Sequence, residues 1–222
     1  MSAAAQVRRV VLVHGIWNAA WWLAPLAWRL RRAGFEPELF GYPSLLAGAE
    51  AAVPRLVRQL QDGPPAHLLG HSLGGLVALE ALRQAPGLAV PRLVCLGSPL
   101  CGSCTARQLA ARRGLAWVLG RSAGLLLRGC QPWQGPVEVG VVAGDLPRGV
   151  GRLLTAVGPE SDGTVALDET RLPGVAACCR VHASHTGLVL SAEAARQAAA
   201  FLRHGRFLPA PASAPAAGAG PV

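Results

Sequence analysis

The chain contains no lysine: all 21 basic side chains are arginine, set against 12 acidic ones, for a formal net charge of +9. Nucleic-acid-binding domains gather such charge on one stripe or helix. Here Arg8, Arg55, Arg92, Arg152 and Arg196 are spread along the chain, which argues against DNA or RNA as a partner. Also missing is the run of about 20 apolar residues that a membrane span requires. The nearest stretch, "LAWVLGRSAGLLL" (115–127), is interrupted by Arg121. The start, "MSAAAQVRRVVLVHG", has no apolar segment closed by a cleavage site, so a mature chain beginning near Met1 and a cytoplasmic location are expected. A metal site is not expected either. Cys101 and Cys104 have the spacing of half a zinc site, but the other close pair, Cys178 and Cys179, are neighbours whose side chains would point to opposite faces of a strand. The six cysteines read as buried or idle thiols in a reducing compartment, with a redox role for Cys101 and Cys104 as the alternative.

What is present is apolar residue in quantity. A 222-residue chain that is 51% hydrophobic can bury one substantial core and is short for two domains. Short Val- and Leu-rich runs ("RRVVLVHG", "FEPELFGYP", "PAHLLGHS", "PRLVCLGSP", "VEVGVVAG", "ACCRVHAS") alternate with amphipathic stretches of helical period. That alternation predicts an α/β protein, a mostly parallel sheet with helices on both faces. Residues 1–208 are expected to form a single domain, and the Pro/Ala/Gly-rich 209–222 a disordered tail. The segment 103–134 replaces a simple crossover helix. It fits either a lid over a site or a long helical connection with its apolar side on the sheet.

One short stretch carries chemistry. In "GHSLGG", Gly70, Ser72 and Gly74 form G-x-S-x-G where a strand gives way to a helix, with Gly75 adding clearance. A serine in such a strand-to-helix turn is held in a strained conformation, and the glycines let strand and helix approach. The helix N-terminus adds free N–H groups and the positive end of a dipole. A serine hydroxyl needs a base, and the base needs a carboxylate to orient it. After the last strand, "VHASHTGL" offers His182 and His185; His185 lies in the loop proper and is favoured over His182, which sits at the strand's end. Between serine and histidine the candidate carboxylates are Asp145, Glu160, Asp162, Asp168 and Glu169, and spacing alone does not separate Asp145 from Asp162.

Taken in order, "LVHGIW", "GHSLGG", "SDGTV" and "SHTGL" resemble the α/β-hydrolase superfamily, specifically its compact lipase- and esterase-like members, over about Val7 to Phe207. The resemblance implies a minimal α/β-hydrolase fold with Ser72 as nucleophile, Asp162 as acid and His185 as base. It also implies an oxyanion hole from the backbone N–H groups of Ile16 and Leu73. No cofactor is implied. The chain lacks room for the first two strands of larger members. The function expected is hydrolysis of a small-molecule carboxylic ester with a hydrophobic acyl group, through an acyl-serine. A thioesterase, amidase or acyltransferase using the same residues, and a non-catalytic binding module on the same scaffold, are the alternatives. Trp17, Trp21 and Trp22 follow the oxyanion loop, and Trp17 is the expected substrate contact; Trp28 reads as core.

Overall fold

The computed structural model describes residues 7–112, 115–148 and 158–209. Among the described residues there are six strands: β1 (Arg9–Val13), β2 (Glu36–Phe40), β3 (His67–His71), β4 (Arg92–Leu96), β5 (Glu138–Gly144) and β6 (Ala177–Val181). They form one sheet in the order β2-β1-β3-β4-β5-β6, every pairing parallel. The expected α/β class and the six predicted runs are therefore all present. Residues 210–222, nearly all of the expected tail, lie outside the described residues.

Parallel strands must be covered on both faces, and the alternation of side chains divides the core accordingly. Val11, Val13 and Leu68 pack against α2 (Gly48–Gln61) and α3 (Leu73–Gln84). Val10, Leu12, Leu69, Val94 and Leu96 pack on the other face against α1 (Ala24–Arg32) and the C-terminal helix Ala192–His204. The assignment of helices to faces follows from handedness. The chain moves outward from β1 to β2, then returns past β1 to β3 and continues to β4, so right-handed crossovers place α1 on one face and α2 and α3 on the other. The reversal at β1/β3 leaves a crevice beyond the carboxyl ends of those two strands, the position where ligands bind in open α/β sheets.

Helix ends agree with local chemistry. The C-terminal helix begins at Ser191, whose side chain accepts from Ala194 N–H, and ends at Gly205 in the left-handed conformation. Arg92, at the start of β4, donates to the carbonyls of Leu202 and Arg203 and pairs with Glu138, fastening that helix to the sheet. Trp28 departs from expectation. The buried side of α1 is Leu26, Ala27 and Leu30, and Trp28 lies off that stripe with 51% of its surface exposed.

The 103–134 segment contains α4 (Cys104–Ala111), a 3-10 stretch Ala116–Ser122 and α5 (Ala123–Arg128). It buries Leu109, Leu119, Leu125, Leu126 and Trp133 in the core that α2 and α3 share. Its 3-10 stretch is joined to the loop after β2: Arg121 N–H donates to the Leu45 carbonyl, Ala49 N–H to Ser122 Oγ, and Ser122 Oγ to the Ser44 carbonyl. Two helices complete the described chain order, the short α6 (Gly187–Leu190) and, after it, the C-terminal helix, here α7 (Ala192–His204).

Candidate active site

Ser72 stands between β3 and α3 with φ +55° and ψ −124°, a conformation costly for a residue with a Cβ. The turn is possible because its flanks are bare. A Cβ on Gly74 would lie 2.1 Å from the Val13 carbonyl oxygen, and one on Gly70 would lie 2.4 Å from the Gly74 carbonyl carbon. Ser72 N–H donates to the Leu96 carbonyl at 2.9 Å, which fixes the turn against the end of β4. Leu73, the first residue of α3, has no intrahelical acceptor for its N–H. Among the described residues, neither its N–H nor that of Ile16 is bonded to another backbone group.

Asp162 and His185 come together 23 positions apart in sequence, with Nδ1 of His185 2.7 Å from Oδ2 of Asp162. The carboxylate is buried, and its other oxygen accepts N–H bonds from Thr164 at 2.9 Å and Val165 at 2.7 Å. The backbone of His185 is tied to the same residue, its N–H donating to the Asp162 carbonyl at 2.8 Å. A carboxylate can only accept, so Nδ1 of His185 is the donor in this pair. The pair sits over Gly97 at the end of β4, where a Cβ would fall 3.2 Å from Asp162 Oδ2 and 3.4 Å from His185 Nδ1. Ser72, bonded to Leu96, and the pair, lying over Gly97, thus meet the same end of β4. Among the described residues the Ser72 hydroxyl makes no hydrogen bond in this structure. Such contacts commonly tighten only when substrate is bound.

The alternatives weighed in the sequence meet each other instead. His182 Nδ1 and Asp145 Oδ1 are 2.9 Å apart at the surface, with the His182 side chain 78% exposed.

Two histidines that sequence reasoning passed over support the site. His71, next to Ser72 and buried, has its ring 4.9 Å from that of His185 and its Nε2 3.1 Å from the His185 carbonyl. A carbonyl only accepts, so Nε2 is the donor. Burial, and then the neighbouring His185, push its pKa down to about 3, so it stays neutral while holding the His185 loop. His14 follows β1. Its Nδ1 donates to the Gly15 carbonyl at 2.8 Å, its Nε2 accepts Tyr42 N–H, and its ring stacks on Tyr42 at 4.4 Å. Burial lowers its pKa despite those bonds. The signal for His71 was its place inside the elbow motif. Nothing local foretold the contact between His14 and Tyr42, 28 residues apart.

Trp17 extends the loop that holds Ile16. It too has a left-handed backbone, φ +61°, and its indole N–H donates to the Val118 carbonyl at 2.7 Å. It walls two recesses. One, of about 30 Å³, adjoins Ser72 and is lined by Ile16, Leu109, Leu119, Leu126 and Val165 among others. The second is a groove of about 520 Å³ bounded by Trp17, Trp21, Tyr42, Leu45 and Leu46. Thr105, at the start of α4, donates to the Thr164 carbonyl at 2.6 Å, and buried Glu169 accepts N–H bonds from Cys104 and Ala166. These bonds brace the Asp162 loop against α4. Among the described residues, no group of three or more His, Cys, Asp or Glu is placed to hold a metal ion, and all six cysteines are free. No helix among the described residues is long and apolar enough to cross a membrane.

A family model described as the alpha/beta hydrolase family matches residues 10–220. A search of curated proteins gave no match. Among solved structures, the mature form of Bacillus licheniformis lipase BlEst2 is similar at 20% identity, covering 93% of this chain and 94% of that one with a TM-score of 0.69. The metagenomic carboxyl esterase MGS0156 is 19% identical over 83% of this chain and 66% of its own, TM-score 0.62. The type II thioesterase BorB from the borrelidin biosynthetic cluster is 16% identical over 89% and 91%, TM-score 0.59. At these identities the likeness to solved structures is one of fold.

Proposed function

The chain belongs to the alpha/beta hydrolase family, and on that premise we propose that it is a serine hydrolase cleaving carboxylic esters through an acyl-serine intermediate. The observation that carries this reading is the His185–Asp162 pair, 2.7 Å apart, at the same end of β4 as a serine held at φ +55° ahead of a helix N-terminus.

In this reading Nε2 of His185 takes the Ser72 proton as the hydroxyl attacks the acyl carbonyl. Asp162 keeps the proton on Nδ1 and stabilises the imidazolium that forms. The N–H groups of Ile16 and Leu73 stabilise the oxyanion, each contributing roughly 3 kcal/mol. The imidazolium then protonates the leaving alcohol, and water, activated by the same histidine, releases the acid. No step calls for a cofactor or metal. The recess against Ser72 admits only a small group, so a hydrophobic acyl chain longer than acetyl runs across Trp17 into the 520 Å³ groove. Six free thiols fit a reducing, cytoplasmic setting for this chemistry.

Esters, thioesters and amides are attacked by the same three residues, so the leaving group must be determined directly. The test is a panel of p-nitrophenyl esters, acyl-CoA thioesters and amides, with Ser72→Ala as control. Turnover of esters above the other classes, lost in Ser72→Ala, supports the proposal. Preferential turnover of thioesters or amides replaces it with the corresponding hydrolase. Ester hydrolysis surviving within tenfold in Ser72→Ala contradicts the nucleophile, and a chain silent on the whole panel contradicts the enzyme.

A further inference from the structure

A second groove, of about 550 Å³, lies between α1 and α7, away from Ser72. The end of α7 that borders it is bound to Arg92 at the start of β4, whereas Ser72 follows the far end of β3. Alanines of α7 line it, and Arg29, Arg32, Arg196 and Arg203 reach it together with Trp28. Arg196 is paired with Glu193. Arg29 and Arg32 have no carboxylate partner among the described residues. Both guanidinium groups lie over the Trp28 ring instead, at 5.7 and 4.9 Å from its centre, and Arg29 also donates from Nη1 to the Pro25 carbonyl at 3.4 Å. Arg203 is held by the Ala33 carbonyl and by the Phe35 ring.

Basic side chains in the last turn of α1 complement the helix dipole, but that function asks neither for an exposed indole nor for a groove. Stacking on an aromatic ring orients a guanidinium without neutralising it, and leaves its in-plane N–H donors for an anion. Two like charges on one indole repel, and a shared anion relieves that repulsion. Guanidinium forks match phosphate oxygens in pairs, and three cations without a carboxylate suit a group of charge −2 or more. The alanine lining and the exposed part of Trp28 suit an apolar body, and the volume is that of a small-molecule site.

We propose that the α1–α7 groove binds a phosphorylated small molecule of nucleotide size, its phosphates on Arg29, Arg32 and Arg203 and its apolar body on the alanines of α7.

The test is isothermal titration of the full chain at low ionic strength with ATP, pyrophosphate and adenosine, repeated with the Arg29→Gln/Arg32→Gln variant. Glutamine keeps the helix propensity while removing the charge. The proposal expects ATP and pyrophosphate to bind with Kd below about 1 mM and adenosine not to bind. It expects the double variant to bind ATP at least about tenfold more weakly with an unchanged melting temperature. Unchanged ATP affinity in the double variant overturns it, as does failure of both phosphates to bind. Attachment to phosphatidylglycerol vesicles with neither soluble phosphate bound also overturns it, in favour of a membrane surface.

Discussion

Nδ1 of His182 stands 2.9 Å from Oδ1 of Asp145, so the described residues hold two imidazole–carboxylate pairs, and the other, His185 with Asp162, has its carboxylate buried. The exposed pair is worth little, because water competes for both groups. Asp162→Asn should lower kcat by up to about 10⁴-fold, since an amide no longer fixes the histidine tautomer. Asp145→Asn should leave kcat within about twofold. Steady-state kinetics of the two variants read this directly, and reversed effects would assign the acid to Asp145.

The histidines separate in the same way. Acylation by neutral His185 makes kcat/KM rise with pH to a plateau. His185→Ala should remove the activity and its pH dependence together, while His182→Ala keeps both. His71 stays neutral at any pH where the enzyme is assayed, so it adds no step to that profile. A dead His182→Ala would make His182 the base, with Asp145 as its carboxylate.

Trp17 gives a prediction about substrate. If the acyl chain crosses it into the groove, Trp17→Ala should raise KM for an octanoyl ester roughly tenfold, the worth of about 1.4 kcal/mol of lost apolar contact. KM for the acetyl ester, whose acyl group fits the recess beside Ser72, should hardly move. Equal changes for both esters in a chain-length series would mean that the groove takes no acyl chain.

Much of this was legible in the residues, for identifiable reasons. Strands buried on both faces read as apolar runs, which is why β1, β3, β4 and β5 stand out. The elbow was legible because Gly70 and Gly74 have no substitute where a Cβ would meet backbone at 2.4 and 2.1 Å. Choosing Asp162 over Asp145 was not possible from spacing, because the turn that aims its carboxylate depends on N–H groups of Thr164 and Val165 and on the bracing of that loop by α4. Trp28 was misread as core by residue type; its position off the Leu26, Ala27 and Leu30 stripe was the better guide. The bonds of Ser122 to Ser44 and Ala49 join segments more than 70 residues apart and leave no local trace.

Two buried histidines set the acid side of stability. Burial lowers the pKa of His67 to about 4, aided by the charge of Arg92, and that of His71 to about 3, against 6.5 in the unfolded chain. Between those values the unfolded state binds more protons than the folded one, so stability falls as pH falls below about 6.5, and the loss levels off below about 3 to 4. Across its window His67 accounts for on the order of 3 kcal/mol and His71 for on the order of 5 kcal/mol. Urea unfolding from pH 7 to 4 should show this decline, and His67→Leu should make it shallower. An undiminished slope in that variant would contradict the account of His67.

The most direct measurement is covalent. Incubation with a fluorophosphonate, followed by peptide mass spectrometry, should place one phosphonyl group per chain on the peptide that contains Ser72. The same treatment of His185→Ala should give labelling slower by orders of magnitude, because the serine keeps its proton. An unlabelled wild-type chain, or an adduct on any other residue, would contradict the assignment of Ser72 as an activated nucleophile.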